Sequence, residues 1–554
     1  MLKPGLSIQT ATRLILFSTI CLLISTGYSL AQNKKKVEII HCDLGAYNAR
    51  IVANAQRLIG NVNITVDGAL MWCDSLYSYT NNTVDAFGNV HIVRGDTLNM
   101  YADFMNYNPE TKLARARRNV KLIDKKVTLT TDSLDYSMFN DVASYNYNGV
   151  VKDSTNTLTS KIGQYYVNEK KAYFKTKVDV VTKDYKIKSD TLIYFTNTKK
   201  VMLEGPTHIF NEKKDTLYAE SGWYDSMRGY ARLTKKPRVW NDKQKMKADS
   251  VYYDKKKGEG LAMGHAQIQD IKNSMIVVGN KIKYNDLTKI ALATDSAILI
   301  QYSKTDSLFL HADWLRTMPD TTVTDTTKNA RLFLAYHKVR FFRPDFQGKC
   351  DSLAYWSKDS TIQMFTEPII WSNRNQMTAD YIEMINRSKD PDEVRMKEDA
   401  FIIAMEEDSL RFNQIKGRNM NGFLRKNTLY RIDVNGNGQS NYYARDKDGL
   451  VGLNKAESSN ICIYLNNGKV KKITFIKSPE GELKPMADIQ DGDKLLPGFK
   501  WLDELRPKSK NDIFADPVPS ANPQLPGKKL SSQEPSEKSD HAISPKKQKA
   551  PAVQ

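Results

Sequence analysis

Seven aspartates recur at comparable places in a repeating pattern along this 554-residue chain: Asp74, Asp103, Asp132, Asp190, Asp249, Asp351 and Asp380. Evenly spaced carboxylates are the raw material of a calcium ladder. Calcium-binding β-rolls, however, set their ligands in Gly-rich nine-residue repeats, and this chain has none. The plainer reading is an aspartate capping a turn just before a strand, its carboxylate accepting from nearby backbone N–H groups. Asp433-Val434-Asn435-Gly436-Asn437-Gly438 opens like an EF-hand loop, but Ala444 stands where the closing glutamate is required. It reads as a hairpin turn. The histidines (His41, His91, His208, His265, His311, His337 and His541) are scattered, with no two spaced as a metal pair. No nucleophile elbow, zincin, Walker or dinucleotide fingerprint occurs. Carboxylates are no denser in one repeat than in the next, although polysaccharide-cleaving enzymes do use β-solenoid scaffolds. The expectation is a protein that is not an enzyme, with no catalytic residue, no metal site and no cofactor.

The elements that carry these residues are strands. A short alternating signal appears at Gly60-Asn61-Val62-Asn63-Ile64, Gly88-Asn89-Val90-His91-Ile92, Arg118-Asn119-Val120-Lys121-Leu122 and Asn148-Gly149-Val150-Val151. Further copies start near Thr176, Gly205, Lys236, Gly264 and Asp295, so the interval stays between 28 and 31 residues. About fourteen residues into most copies a second signal follows, Asp-x-aliphatic-x-Tyr in its fullest form, as in Asp132-Ser133-Leu134-Asp135-Tyr136. Each unit therefore holds two or more strands of period two with polar turns between them. Such a unit exposes one apolar face and needs its neighbours to cover it. The predicted class is all-β, an elongated repeat.

Composition agrees. Hydrophobic residues make up 40% and charged residues 26%, with 28 tyrosines, a balance suited to strands. The net charge of +19 favours acidic partners: nucleic acid, an anionic membrane face or phosphorylated lipid. Residues 1–31 choose among them. A short basic start (Lys3, Arg13), an apolar run from Leu14 to Ile24 and the small-residue exit Ser29-Leu30-Ala31 before Gln32 have the layout of a secretory signal. Cleavage between Ala31 and Gln32 is expected, and export removes nucleic acid from the partners. The run is too short for a comfortable membrane span. Cys42, Cys73, Cys350 and Cys462 are too few for a disulfide framework. Cys42 and Cys73 occupy equivalent places in adjacent units. A parallel stack would bring them within disulfide range, whereas an antiparallel meander puts a strand between them; the meander, with two free, buried thiols, is the expectation.

After Asp295 the rhythm breaks. The expected organisation is a signal peptide at 1–31, a first repeat region at 37–318, a polar loop or hinge at 319–330, a second repeat region at 331–480, a C-terminal extension at 481–506 and a disordered basic tail at 507–554. Asn467-Gly468 reads as a hairpin turn. Basic clusters at Arg115-Ala116-Arg117-Arg118, Lys199-Lys200, Lys213-Lys214, Lys235-Lys236 and Lys255-Lys256-Lys257 lie mostly at unit junctions. They read either as charged turns that keep edges soluble or as a rim for phosphates.

The signal-like start, the Gly-Asn-Val-x-Ile units and junctions such as Thr83-Val84-Asp85-Ala86-Phe87-Gly88-Asn89-Val90 resemble the OstA-like family, which comprises the lipopolysaccharide-bridge protein LptA and the N-terminal domain of its outer-membrane partner LptD. The resemblance covers roughly residues 37–480 and rests on repetition of short motifs. It implies a β-jellyroll open along one side, whose apolar interior carries lipid A acyl chains through the periplasm toward the outer membrane. The partners it implies are lipopolysaccharide, an LptD-like outer-membrane translocon, an LptC-like inner-membrane component and further copies aligned head to tail. On this reading the candidate groove and core residues are Val62, Ile64, Val90, Ile92, Val120, Leu122, Val178 and Val180 from the first strands. Leu76, Leu134, Leu192 and Val251 come from the second. Either sheet face could line the groove. The alternatives are a structural β-repeat scaffold or fibre of the cell envelope, and a carbohydrate-active β-solenoid enzyme.

Overall fold

A computed structural model describes residues 37–515 and residue 517, except for 48–49, 51–53, 184, 212–214, 304–305, 324–329, 387–391, 426–427, 448 and 467–468. The signal-like segment, the Asn467-Gly468 turn and nearly all of the tail fall outside these residues. What is described is all-β, with isolated 3-10 turns and no helix long and apolar enough to cross a membrane among the described residues. The strands pair antiparallel in a meander: unbroken strands pair with their neighbours in sequence, as Ala55–Val66 with Ala69–Tyr79 and that strand with Val84–Arg94, and where a strand is interrupted at its bend the halves pair separately, as Val142–Tyr145 with Ile162–Tyr166. Two compact units divide between Gly258 and Glu259. The polar stretch at 319–330 is not such a boundary. It is the connection of one hairpin, in which Pro319 pairs with Arg331.

The repeat signal marks a bend inside a strand. Strands such as Ala69–Tyr79 and Val84–Arg94 are 11 residues long, and their pairing slips near the middle. Ser75 pairs with Phe87 and Trp72 with His91, so Asp74 alone faces Gly88-Asn89. Two residues against one is a β-bulge, which bends and twists the strand. Both bulged residues adopt positive φ, 72° at Gly88 and 45° at Asn89. The same pair of left-handed residues returns at Gly60-Asn61, Arg118-Asn119, Thr176-Lys177, Lys235-Lys236, Gly264-His265, Asp295-Ser296, His337-Lys338, Thr366-Glu367, Glu398-Asp399 and Gly436-Asn437. Glycine and asparagine tolerate this backbone best, which is why the early copies read Gly-Asn.

The recurrent aspartate belongs to the bend. Asn89 donates to Asp74 at 2.9 Å, Asn61 to Asp43 at 2.9 Å and Asn119 to Asp103 at 2.8 Å. The expectation of a turn cap before a strand is corrected for Asp74, Asp103, Asp132, Asp190 and Asp351, which sit mid-strand, the first two tied to the asparagine of a neighbouring bend; Asp249 and Asp380 do stand just before a strand. A later copy substitutes Glu220 and Lys236, joined at 2.9 Å. Several clustered cations (Arg118, Lys235, Lys236) are thus bend residues rather than junction turns.

Because each strand doubles back at its bend, its two halves form two walls with apolar side chains between them. In Ala69–Tyr79 the inward residues are Ala69, Met71 and Cys73 before the bend and Leu76 after it. The alternation changes phase at Asp74, so both halves turn their apolar face to one interior.

In the second unit a strap follows the last described strand. Beyond the last strand, Glu480–Pro485, residues 486–515 cross the outside of one wall. Register defines the face they cover: His311 pairs with Arg340, Phe342 with Gln347, Gln347 with Trp371, Trp371 with Gln376, Gln376 with Ile403, Ile403 with Gln414 and Gln414 with Asn441. Leu496 and Trp501 pack on Phe401, Ile403 and Phe412, and Leu505 packs on Ile369 and Trp371. Buried amides bond the strap's backbone. Gln414 donates to Lys494 O at 2.7 Å and accepts from Leu496 N at 2.8 Å. Gln376 does the same with Lys500 O at 2.7 Å and Leu502 N at 2.8 Å. Pro507 and Ile513 are buried, so the packed chain runs past residue 507, where sequence reasoning began the tail.

Candidate functional site: a stitched interior and an open one

The twelve groove candidates lie in the first unit, and all are buried, between 0% and 7% exposed. Ile64 pairs with Met71, Met71 with Ile92, Ile92 with Met100 and Met100 with Leu122, one continuous row along one wall. Val62, Val90 and Val120 lie two residues away on the same strands and face. Leu76 and Leu134 belong to the facing wall, in the row Leu58, Leu76, Ala86, Met105, Ala116, Leu134. Val178 and Val180 lie across a bend from Leu192's row, and Val251 pairs with Leu233.

The open edge of this interior is stitched shut. Hairpin turns alternate between two rims, one carrying Asp67, Thr97, Lys125 and Asp153, the other carrying Glu110, Phe139, Asn168 and Asn197. A straight strand of eleven residues would hold the rims about 35 Å apart, yet side chains bridge them directly. Tyr107 donates to Asp67. Arg94 reaches Asp141 at 3.2 Å and Met138 O at 3.1 Å. Tyr165 and Lys170 both contact Asp124 at 2.6 Å. Tyr194 donates to Asp153 at 2.5 Å, and Lys199 reaches Thr155 at 3.1 Å. Tyr107 and Tyr194, from the second sequence signal, thus serve the seam. Burial, with the adjacent carboxylate adding to it, pushes the Tyr107, Tyr136, Tyr165 and Tyr194 hydroxyls well above the ordinary phenol range, so each is a hydrogen-bond donor at neutral pH.

Cys42 and Cys73 flank the strand Ala55–Val66, since Val62 pairs with Cys73 and the segments on either side of Cys42 pair with that same strand. The strand between them is the meander's signature. Both thiols are free; Cys73 is buried, while Cys42 is only half-buried. The expectation of two buried thiols is corrected for Cys42, whose flanking strands are exposed along their length.

The second unit holds a partly open apolar cavity of about 90 Å³ between its two walls. One wall contributes Ile268, Val277, Leu299, Leu310 and Phe341, successive partners across five strands. The facing wall contributes Ile282, Ala293, Leu315, Ala335 and Leu353, again in register. Phe341 lies over Gly348, where an added Cβ would come within 2.1 Å of the ring. Around this mouth the polar groups bond within their own rim: Arg331 donates to Thr317 Oγ1 and to Lys289 O, Gln269 to Tyr302, and Asn273 to Asp270. None of the twelve candidates lines this cavity. Sequence reasoning passed over its residues, although the signal was present. The strands Ile290–Tyr302, Ser307–Pro319 and Arg331–Arg343 are 13 residues each and apolar on both faces, as a wall with a lined interior and a strap outside it requires.

A bent antiparallel repeat enclosing an apolar interior is a jellyroll-like arrangement. Residues 34–190 match the model of the family described as OstA-like protein, and over that segment the chain resembles the family. Among solved structures the chain is similar to LptH from Pseudomonas aeruginosa, described as the LptA-homologous periplasmic component of the conserved lipopolysaccharide transport device. The identity is 13%, the match covers 19% of this chain and 79% of that one, and the TM-score is 0.18. No curated protein matches.

Proposed function

We propose that this protein is a non-enzymatic, periplasmic component of lipopolysaccharide transport, whose jellyroll interior shelters lipid A acyl chains on their way to the outer membrane. The observation that carries this reading is the apolar cavity of the second unit. Each methylene left in water costs about 0.8 kcal/mol, so a multi-acyl lipid needs a continuous apolar sleeve to travel between membranes. The OstA-like match at residues 34–190 supports the same class of role. On this proposal the twelve residues of the first unit form a second apolar shelter, used when the tyrosine–aspartate seam opens. The signal-like start accounts for export. An LptC-like component, an LptD-like translocon and further copies of the chain are the partners.

Photo-crosslinking amino acids at Ile268, Leu310 and Phe333, and in parallel at Ile64, Ile92 and Leu122, test it in cells. Lipopolysaccharide adducts at the first set are expected throughout, and at the second set during active transport. Adducts at neither set would sink the proposal. A second reading, a structural scaffold of the envelope, is favoured by one observation: the first unit's interior is filled and its edge stitched. That reading expects only protein self-contacts from every position.

A further inference from the structure

Beside the strap, on the outer face of the second unit's last strands, lies a pocket of about 320 Å³. That is the small end of the range in which small ligands are held, about 300–1,000 Å³. Its floor is the row Ser440, Ala456 and Gly481, successive partners across three strands. One flanking row aligns Asn441, Lys455 and Glu482, the other Gln439, Glu457 and Glu480. Alternation puts both flanking rows on the face that the strap crosses, and the strap's Leu496 supplies an apolar wall.

The two lysines at this site are already engaged. Asp493 accepts from Lys484 at 2.8 Å and from Lys455 at 2.9 Å, and these ammonium groups hold its carboxyl well below the usual carboxylate range. Glu482 pairs with Lys484 at 3.2 Å. Glu457 and Glu480, directly opposite one another, are left over. Glu457 accepts from the neutral amide of Gln439 at 2.9 Å, and among the described residues neither carboxylate forms an ion pair. Like charges directly opposite on a sheet repel one another. Asn441 is a second, independent sign of an absent partner. It lines the pocket and is 1% exposed. Its Nδ2 donates to Asp493 O at 2.8 Å. Its Oδ1, the end of the amide turned away from that carbonyl, is buried with no hydrogen-bond partner. A buried acceptor left unsatisfied is costly until a donor reaches it.

We propose that this pocket binds a small aliphatic diamine or polyamine, with one ammonium group between Glu457 and Glu480, N–H donation to Asn441 Oδ1 and the methylene chain against Leu496. This goes beyond lipid transport and does not depend on it. The pocket asks for charge, for N–H donors and for a short apolar stem, which an alkylammonium combines. A bare metal ion suits it less, because no group of three or more His, Cys, Asp or Glu able to hold one occurs among the described residues. The chain as a whole carries +19 and repels polycations, so a diamine that binds does so through a local patch of opposite sign.

The test is calorimetric titration of the full chain at low ionic strength, where such a site is least screened. The probes are 1,5-diaminopentane, spermidine, tetramethylammonium and calcium. The two amines are expected to bind at one site per chain, at least tenfold more tightly than tetramethylammonium, which has charge but no N–H, and than calcium. Glu457→Gln combined with Glu480→Gln should weaken the amines at least tenfold, and Glu480→Lys should abolish their binding. Glu110→Gln, which removes an exposed carboxylate of the first unit, should leave it unchanged. Glu457 and Glu480 are both exposed, so these variants are expected to fold; thermal unfolding checks this and gives a second readout. 1,5-Diaminopentane should raise the melting temperature of the natural chain and not that of the double variant. Absence of amine binding, equal binding by the double variant, or calcium or tetramethylammonium binding as tightly as the amines would overturn the inference. None of these outcomes bears on whether cellular crosslinks capture lipopolysaccharide, so the two readings stand or fall separately.

Discussion

Tyr165 and Asp124 are 41 residues apart in sequence and 2.6 Å apart in space, the phenol donating across the edge where the two walls of the first unit meet. Lys170 shares the same carboxylate at 2.6 Å and Thr97 adds a bond at 3.2 Å. This group shows what folding each strand double achieves: both rims come together, and the interior between them is closed by bonds that can be removed singly.

Tyr165→Phe removes one bond and leaves Asp124 with two partners. We expect a loss of about 1–2 kcal/mol in denaturant unfolding. Asp124→Ala strands Lys170 beside a closed apolar interior and should cost about 3–5 kcal/mol. If the seam gates the first unit, Tyr165→Phe should also raise crosslinking at Leu122 in cells.

Asp153 gives the seam a pH dependence. Burial acts to raise its carboxyl, but bonds from Tyr194 and from Thr155 and Asn156 outweigh it, and the group lies below the ordinary carboxylate range. A depressed folded-state value contributes stability that is complete above about pH 4, the unfolded value, and is lost as pH falls through the folded one. The stability difference between the natural chain and Asp153→Asn should therefore be constant near neutrality and shrink below about pH 4, as read by denaturant melts across pH.

Gly88 combines φ of 72° with a carboxylate oxygen 2.3 Å from where a Cβ would stand. Gly88→Ala must strain the backbone and displace Asp74 from Asn89, and should destabilise the first unit by about 1–3 kcal/mol. Arg118 occupies the equivalent bend with φ of 61°, so Arg118→Gly is expected to be neutral or mildly stabilising in the same assay.

Burial pushes the Cys73 and Cys350 thiols up to about 12. At pH 8 roughly one part in ten thousand of each is thiolate. Cys42, half-exposed, should react with an aromatic disulfide reagent in the native state, while Cys73 and Cys350 should react only on unfolding. A crosslink between residues 42 and 73 in the mass spectrum would contradict the strand that separates them.

How much of this was legible in the sequence depends on how local the cause is. The repeat, the all-β class and the meander follow from alternation and spacing, as with Val90 and Ile92 after Gly88-Asn89. The bend at Gly88-Asn89 was visible as a motif but read as a strand start, because period-two reasoning has no term for a bulge that turns a strand back on itself. Asp74 was read as a turn cap for the same reason: its partner Asn89 lies on a neighbouring strand. The seam tyrosines stood out as a pattern, yet Tyr107 and Asp67 meet only once both rims are in place. The strap was not legible at all. Gln376 and Gln414 look like ordinary polar residues among apolar ones until Lys500 and Lys494 lie against them.

The strap also fixes an order of events. Hairpins of the meander join residues close in sequence and can form as the chain is made. The bonds from Asn441 to Asp493 and from Arg340 to Leu505 span 52 and 165 residues, and their acceptors are synthesised only after the strands they bond. Until then Trp371, Phe401 and Phe412 have no cover, and a chain stopped short of residue 496 would present them as a sticky aromatic surface to any chaperone or neighbour.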